Sequence, residues 1–185
     1  TYDVLAERLR VAIDMDDVLA VAGRASTLGR PHLADAMVAK GYVADRSEAF
    51  AAWLWEGGPA YVPKYAPAAV DAVRMVGDAG GVAVLAHPWG RGSRRVLDAE
   101  AIRVLAEAGL AGIEVHDRSD RAALLEVATA LDLVVTGSSD YHGTGKVGHV
   151  LGVNTTARVE YGRLLDLARR AATAAGRQAP RLGVA

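Results

Sequence analysis

The sequence has no cysteine. Disulfides and thiolate metal sites are therefore excluded, and any metal must be held by His, Asp or Glu. Aromatics are scarce, with one Phe and three Trp among 185 residues, so stacking platforms for single-stranded nucleic acid are few. Neither charge dominates: 21 basic and 22 acidic residues leave a formal net charge of −1. That balance argues against a long electrostatic footprint on duplex DNA or RNA, while leaving a single nucleotide open as a ligand. No apolar run approaches the ~18 residues of a membrane-spanning helix, and no leader is visible. A cytoplasmic location is expected. The chain opens on Thr1 directly in a helical pattern, which reads as a piece of a longer protein.

What is present is apolar residues, 51% of the chain, in two textures. Residues 1–65 read as a helical subdomain. Leu5, Leu9 and Ile13 recur at helical spacing. Asp16 is the expected cap of a short helix ending at Gly23. Pro31 sits in the first turn of a helix reaching Lys40, and Ser47 to Trp55 reads as another, ended by Gly57-Gly58-Pro59. Residues 66–175 alternate helix and strand. Apolar runs at 82–86, 112–115 and 133–136 follow helices ended by glycines or by a turn, as in parallel βα units. Residues 176–185 are a Gly-, Pro- and Arg-rich tail, expected to fray. Three strands are few for a closed barrel, so the second part reads as a portion of a barrel or as an open sheet.

Parallel α/β architectures place their sites at the C-terminal ends of the strands. Here the first strand runs into His87-Pro88, the second into His116-Asp117, and the third into Gly137-Ser138-Ser139-Asp140-Tyr141-His142. Asp140 and His142, two apart, point the same way if the segment is extended. Such a carboxylate and imidazole make a metal corner. An isolated D-x-H more often caps a turn, but the neighbouring glycines and the Ala86-His87-Pro88 run favour metal. His87 could instead hydrogen-bond to backbone. Pro88 is expected to hold it extended and so aim it. His116 is evenly poised between ligand and solvent contact, and His149 is not expected to be a ligand. Gly29-Arg30-Pro31-His32 opens a helix, where N–H groups favour an anion. Arg30 offers a fork for phosphate, against the plainer reading of a solvated arginine. Lys64 is a second candidate cation, though a lone lysine is more often a surface charge.

These stretches resemble a known family. Gly29-Arg30-Pro31-His32-Leu33-Ala34, Lys40-Gly41-Tyr42-Val43 and Gly58-Pro59-Ala60-Tyr61-Val62-Pro63 are similar to the insertion of the PHP (polymerase and histidinol phosphatase) superfamily, in its TrpH-like and YciV-like branch. Gly80 to Pro88, Gly112 to Val115 and Thr136 to Gly143 are similar to that branch's barrel motifs, in the same order. The resemblance implies a partial (βα)7-type barrel preceded by a helical insertion. It implies a metal-dependent phosphoesterase acting on a nucleotide, either a 3′,5′-bisphosphonucleotide phosphatase or a 5′–3′ exonuclease on short RNA. It implies His87, Asp140 and His142 as ligands to two or three divalent ions, with Mn, Fe and Zn all compatible. It places Arg30 and His32 at the substrate phosphate, with Lys64 a further candidate for substrate binding from the residues alone.

The family's opening H-x-H is missing from this sequence, whose first histidine is His32. The isolated chain is therefore expected to be inactive, and pairing with a second copy or with an absent N-terminal half is expected. The rival expectation is a non-catalytic PHP-like scaffold or polymerase-accessory module. Amidohydrolase-like chemistry is a third reading, disfavoured by the phosphate-like Gly29 to His32 motif.

Overall fold

The computed structural model describes residues 12–25, 27–63, 65–116, 120–141 and 149–179. The chain divides into two compact units, Thr1–Ala66 and Pro67–Ala185. The first expected helix, around Leu5 and Leu9, lies mostly outside the described residues, as do Lys64 and His142.

The first unit is helical. Helix α1 (Met15–Ala22) is capped by Asp14, whose carboxylate accepts from Asp17 N–H while Asp17 accepts from Asp14 N–H. The expected cap was Asp16. Three aspartates compete here, and Asp14 prevails because it alone has an acidic partner three residues on to close a reciprocal box. Helix α2 (Arg30–Ala39) carries Pro31 in its first turn. Helix α3 (Arg46–Ala49) is capped by Asp45 and widens into a π-helical turn over Phe50–Leu54, where one regular helix to Trp55 was expected. These helices bury Leu33, Ala34, Ala36, Met37, Ala49 and Leu54 in one apolar core. Their charged residues pair at its edge, Arg46 with Asp35 through two bonds and Lys40 with Asp17 at 2.5 Å.

The second unit is a three-stranded parallel sheet with helices. Helix α4 (Ala69–Asp78) leads into β1 (Ala83–Leu85), followed by a 3₁₀ turn (Gly90–Arg95) and α5 (Ala99–Glu107). Then come β2 (Leu110–Glu114), α6 (Arg121–Ala130), β3 (Val134–Thr136) and α7 (Arg158–Ala174). Strand order is β1-β2-β3, with Gly112 opposite both Val84 and Val134. A side chain at Gly112 would collide with Val134, so the glycine permits the close approach of the two strands. Asp98 caps α5 by accepting from Ala101 N–H. Ile102, Ile113 and Val134 are fully buried. Burying side chains of this size contributes about 1.5–3 kcal/mol each. No helix of the described residues is long and apolar enough to cross a membrane.

Candidate functional site

The C-terminal ends of the three strands carry the polar residues of the second unit. Strand β1 ends at Leu85 and the chain turns at once, because His87 O accepts from Gly90 N–H at 2.9 Å. His87 has φ 32, in the left-handed region, and is not extended as the sequence suggested. The residue before a proline is barred chiefly from the right-handed α region, so the turn is still permitted. What selects it is packing beyond the dipeptide. Trp89 is buried, and its indole N–H donates to Leu97 O at 2.7 Å. The Ser93 hydroxyl donates to Pro88 O at 2.5 Å. Arg94 lies over the Trp89 ring, 4.3 Å from its centroid, and pairs with Asp120 at 3.5 Å.

Strand β2 delivers Glu114 and, two residues on, His116. They share a face of the extended chain. Glu114 Oε1 and His116 Nε2 are 2.5 Å apart. The side chains are only 16% and 11% exposed. Both atoms are fully buried, and their alignment is not that of a hydrogen bond, so each lacks a hydrogen-bond partner among the described residues. An orphaned buried polar atom costs about 1–3 kcal/mol, more if charged. With His87, Trp89, Asp120 and Leu124, the two line a cleft of about 230 Å³.

Strand β3 runs into Gly137 and Ser138. Asp140 has φ 49, so it too departs from the extended form expected of an Asp140-x-His142 pair, and its N–H donates to Ser138 Oγ at 3.0 Å. The Asn154 amide donates to Val115 O at 3.0 Å and Ser138 O at 3.1 Å, tying the ends of β2 and β3 together. The ring of His149 bonds through Nδ1 to Ser139 O at 2.7 Å. That is a structural contact, in keeping with its not being expected as a ligand.

Among the described residues, no group of three or more His, Asp or Glu is placed to hold a metal ion. His87 and Asp140 stand at the ends of β1 and β3, the outer strands of the three. The described donors therefore do not by themselves fit a metal cluster, and no chemical step is derived through one.

In the first unit, Arg30 lines a separate cavity of about 520 Å³, together with Gly29, Met15, Leu33, Glu56 and Tyr61. Its Nη1 donates to Leu54 O at 2.9 Å, and the guanidinium sits 5.9 Å from the Phe50 ring centroid. Those contacts fix the fork while leaving other N–H groups for a ligand. His32 is turned back on its own helix: its Nδ1 accepts from Gly29 N–H at 3.1 Å, which closes an otherwise unpaired donor.

Sequence reasoning missed Glu114 as a site residue. The signal was a lone carboxylate inside the apolar run Gly112-Ile113-Glu114-Val115.

The comparisons with known proteins converge. A phosphoribosyl 1,2-cyclic phosphate 1,2-diphosphodiesterase of Eggerthella lenta is 38% identical over 150 residues, 75% of this chain and 53% of that protein. A 3′,5′-nucleoside bisphosphate phosphatase of Chromobacterium violaceum is 33% identical over 129 residues, 68% of this chain and 45% of that one. A solved structure from Bifidobacterium adolescentis, assigned as a metal-dependent phosphoesterase, superposes with a TM-score of 0.74 at 36% identity. It matches 90% of this chain and 64% of its own. These likenesses support a PHP-type, TrpH-like phosphoesterase family. An amidohydrolase of Chromobacterium violaceum, solved with bound sulfate and no metal, matches this chain with a TM-score of 0.69 at 27% identity, over 88% of it and 61% of that structure. No family model matches the chain. The chain spans about half the length of the curated relatives it matches.

Proposed function

We propose that this chain is the part of a cytoplasmic, metal-dependent phosphoesterase that carries an insertion and the last strands of a partial (βα)7-type barrel. Its substrate is a small nucleotide-related phosphate ester, of the bisphosphonucleotide class or a short RNA end. The observation that carries the reading is the cleft at the ends of parallel strands, where His87 and the Glu114–His116 pair line one space. The family likeness supports it, since named relatives act on phosphate esters.

In this reading His87, Asp140 and His142 are metal ligands, and residues outside the described ones complete the set. Divalent ions of the Mn, Fe or Zn type, held by these residues, would supply Lewis acidity toward water and the phosphoryl oxygens. Arg30, His32 and Lys64 are given to phosphate binding in this reading, Arg30 through charge-assisted hydrogen bonds.

The test uses the full-length protein with Mn²⁺, Fe²⁺ or Zn²⁺ added in turn, and a 3′,5′-bisphosphonucleotide as substrate. Phosphate release is expected with at least one ion, and Asp140→Asn should reduce kcat by about 10³-fold or more, with less bound metal. A full-length protein that binds no divalent ion and releases no phosphate would instead be a non-catalytic scaffold.

A further inference from the structure

The Glu114–His116 pair lies outside the ligand set proposed above. A carboxylate oxygen and a ring nitrogen are both buried, 2.5 Å apart, at the C-terminal end of the middle strand. A structural role would be met more cheaply by apolar residues of similar size. Their place in the wall of the strand-end cleft, with His87 beside them, is where a bound ester would meet them. A buried carboxylate packed 2.5 Å from one ring nitrogen restricts how the imidazole can turn and leaves the other nitrogen to exchange a proton with a ligand. Among the described residues Nδ1 has no hydrogen-bond partner.

We infer that His116 is a catalytic residue that donates a proton from Nδ1 to the leaving alcohol of a phosphate ester in this cleft, and that Glu114 is the positioning residue that orients it. The inference rests on the phosphoesterase reading. In the step, a water oxygen bonds to phosphorus and the ester P–O bond breaks. The bonding electrons pass to the departing oxygen, which takes the His116 proton and leaves as the alcohol. The proton lost by the attacking water returns to the ring through solvent.

Leaving-group dependence is the decisive measurement, made on the full-length, metal-loaded protein with His116→Gln, Glu114→Gln and Glu114→Asp. An alkyl alcohol needs a proton to depart, whereas p-nitrophenolate does not. For a nucleoside phosphate, His116→Gln should lower kcat by about 10²–10⁴-fold, with KM nearly unchanged. For p-nitrophenyl phosphate the loss should stay below about tenfold. Glu114→Gln should show the same selectivity with a smaller loss, and Glu114→Asp should recover part of it. Metal content per chain and thermal midpoint should match wild type. Equal losses on both esters would overturn the donor role, as would wild-type rates on both. Loss of bound metal in His116→Gln would make His116 a ligand and overturn it too. If His116→Gln does not fold, the Glu114 variants carry the same comparison. A wild-type protein inactive on every ester would sink the phosphoesterase reading and the donor role together, whereas an active wild type with indifferent variants would sink the donor role alone.

Discussion

The two units handle their polar residues differently. In Thr1–Ala66, charged side chains pair at the surface, and Arg30, which lines the cavity, is anchored to a backbone carbonyl and an aromatic ring. In Pro67–Ala185, a carboxylate and an imidazole are taken under cover at a strand end without a hydrogen bond between them. The first arrangement is satisfied by its own contacts. The second keeps two costly atoms in place through the rigidity of the sheet. A helical unit can hold a cation with local contacts. A strained pair needs the long-range pairing of parallel strands.

The contrast can be broken at the sheet first. Ile113 is fully buried in β2 beside Glu114. Ile113→Ala should destabilise the protein by about 2–5 kcal/mol in urea unfolding, and the strand-end cleft should loosen with it. A loss under about 1 kcal/mol would mean that the sheet does not carry the site. In the first unit, Arg30→Ala should reduce kcat/KM of the full-length protein on a bisphosphonucleotide by the equivalent of about 2–4 kcal/mol. Kinetics unchanged from wild type would leave Arg30 with a purely structural bond to Leu54. Replacing Asp98 by alanine removes the cap of α5 and should cost about 1 kcal/mol, measured by thermal melting, with phosphate release unaffected.

The smallest effect concerns acid. The hydrogen bond from Lys40 holds the Asp17 carboxyl below the usual carboxylate range, helped by the Asp14 backbone N–H. A depressed folded value means that the contribution is present above the unfolded-state value of about 3.9 and is lost as pH falls through the folded one. Lys40 is raised by the same bond, so its share is present below about 10.4 and lost as pH rises through its folded value. The pair is exposed, so the shift should be slight. Asp17→Asn should flatten a small part of the acid unfolding curve below the ordinary carboxylate value of about 3.9. Superimposable wild-type and variant curves would show that the pair does not matter.

Much of the fold was legible because its signals are local. The stop at Gly23 and the apolar runs after helices each act within a few residues, and the three strands stand near their expected places. The site was legible only in part. Placing chemistry at strand ends follows from parallel architecture, and it led to His87, Asp140 and the undecided His116. The backbone at His87 and Asp140 was misread because tertiary anchors, such as the buried Trp89 and the Ser93 hydroxyl, outweigh the dipeptide preference. Glu114 was passed over because a carboxylate in an apolar run shows its meaning only when a partner two residues on is seen to share its burial.

The outer side of β3 carries one more consequence. Val135 N–H donates to Glu160 Oε2 at 2.9 Å and Gly137 N–H to Thr156 Oγ1 at 3.0 Å, while Thr136 O accepts from Val115 N–H on the inner side. Arg163 holds Glu160 at 3.1 Å. Side chains thus occupy the donors that a further strand would need, and a Cβ at Gly137 would collide with Thr155 O where the covering segment comes close. An incoming strand from another molecule would have to displace a braced carboxylate before gaining its first bond. The sheet is therefore guarded against self-association on this flank, by chemistry written into the sequence some twenty residues after the strand.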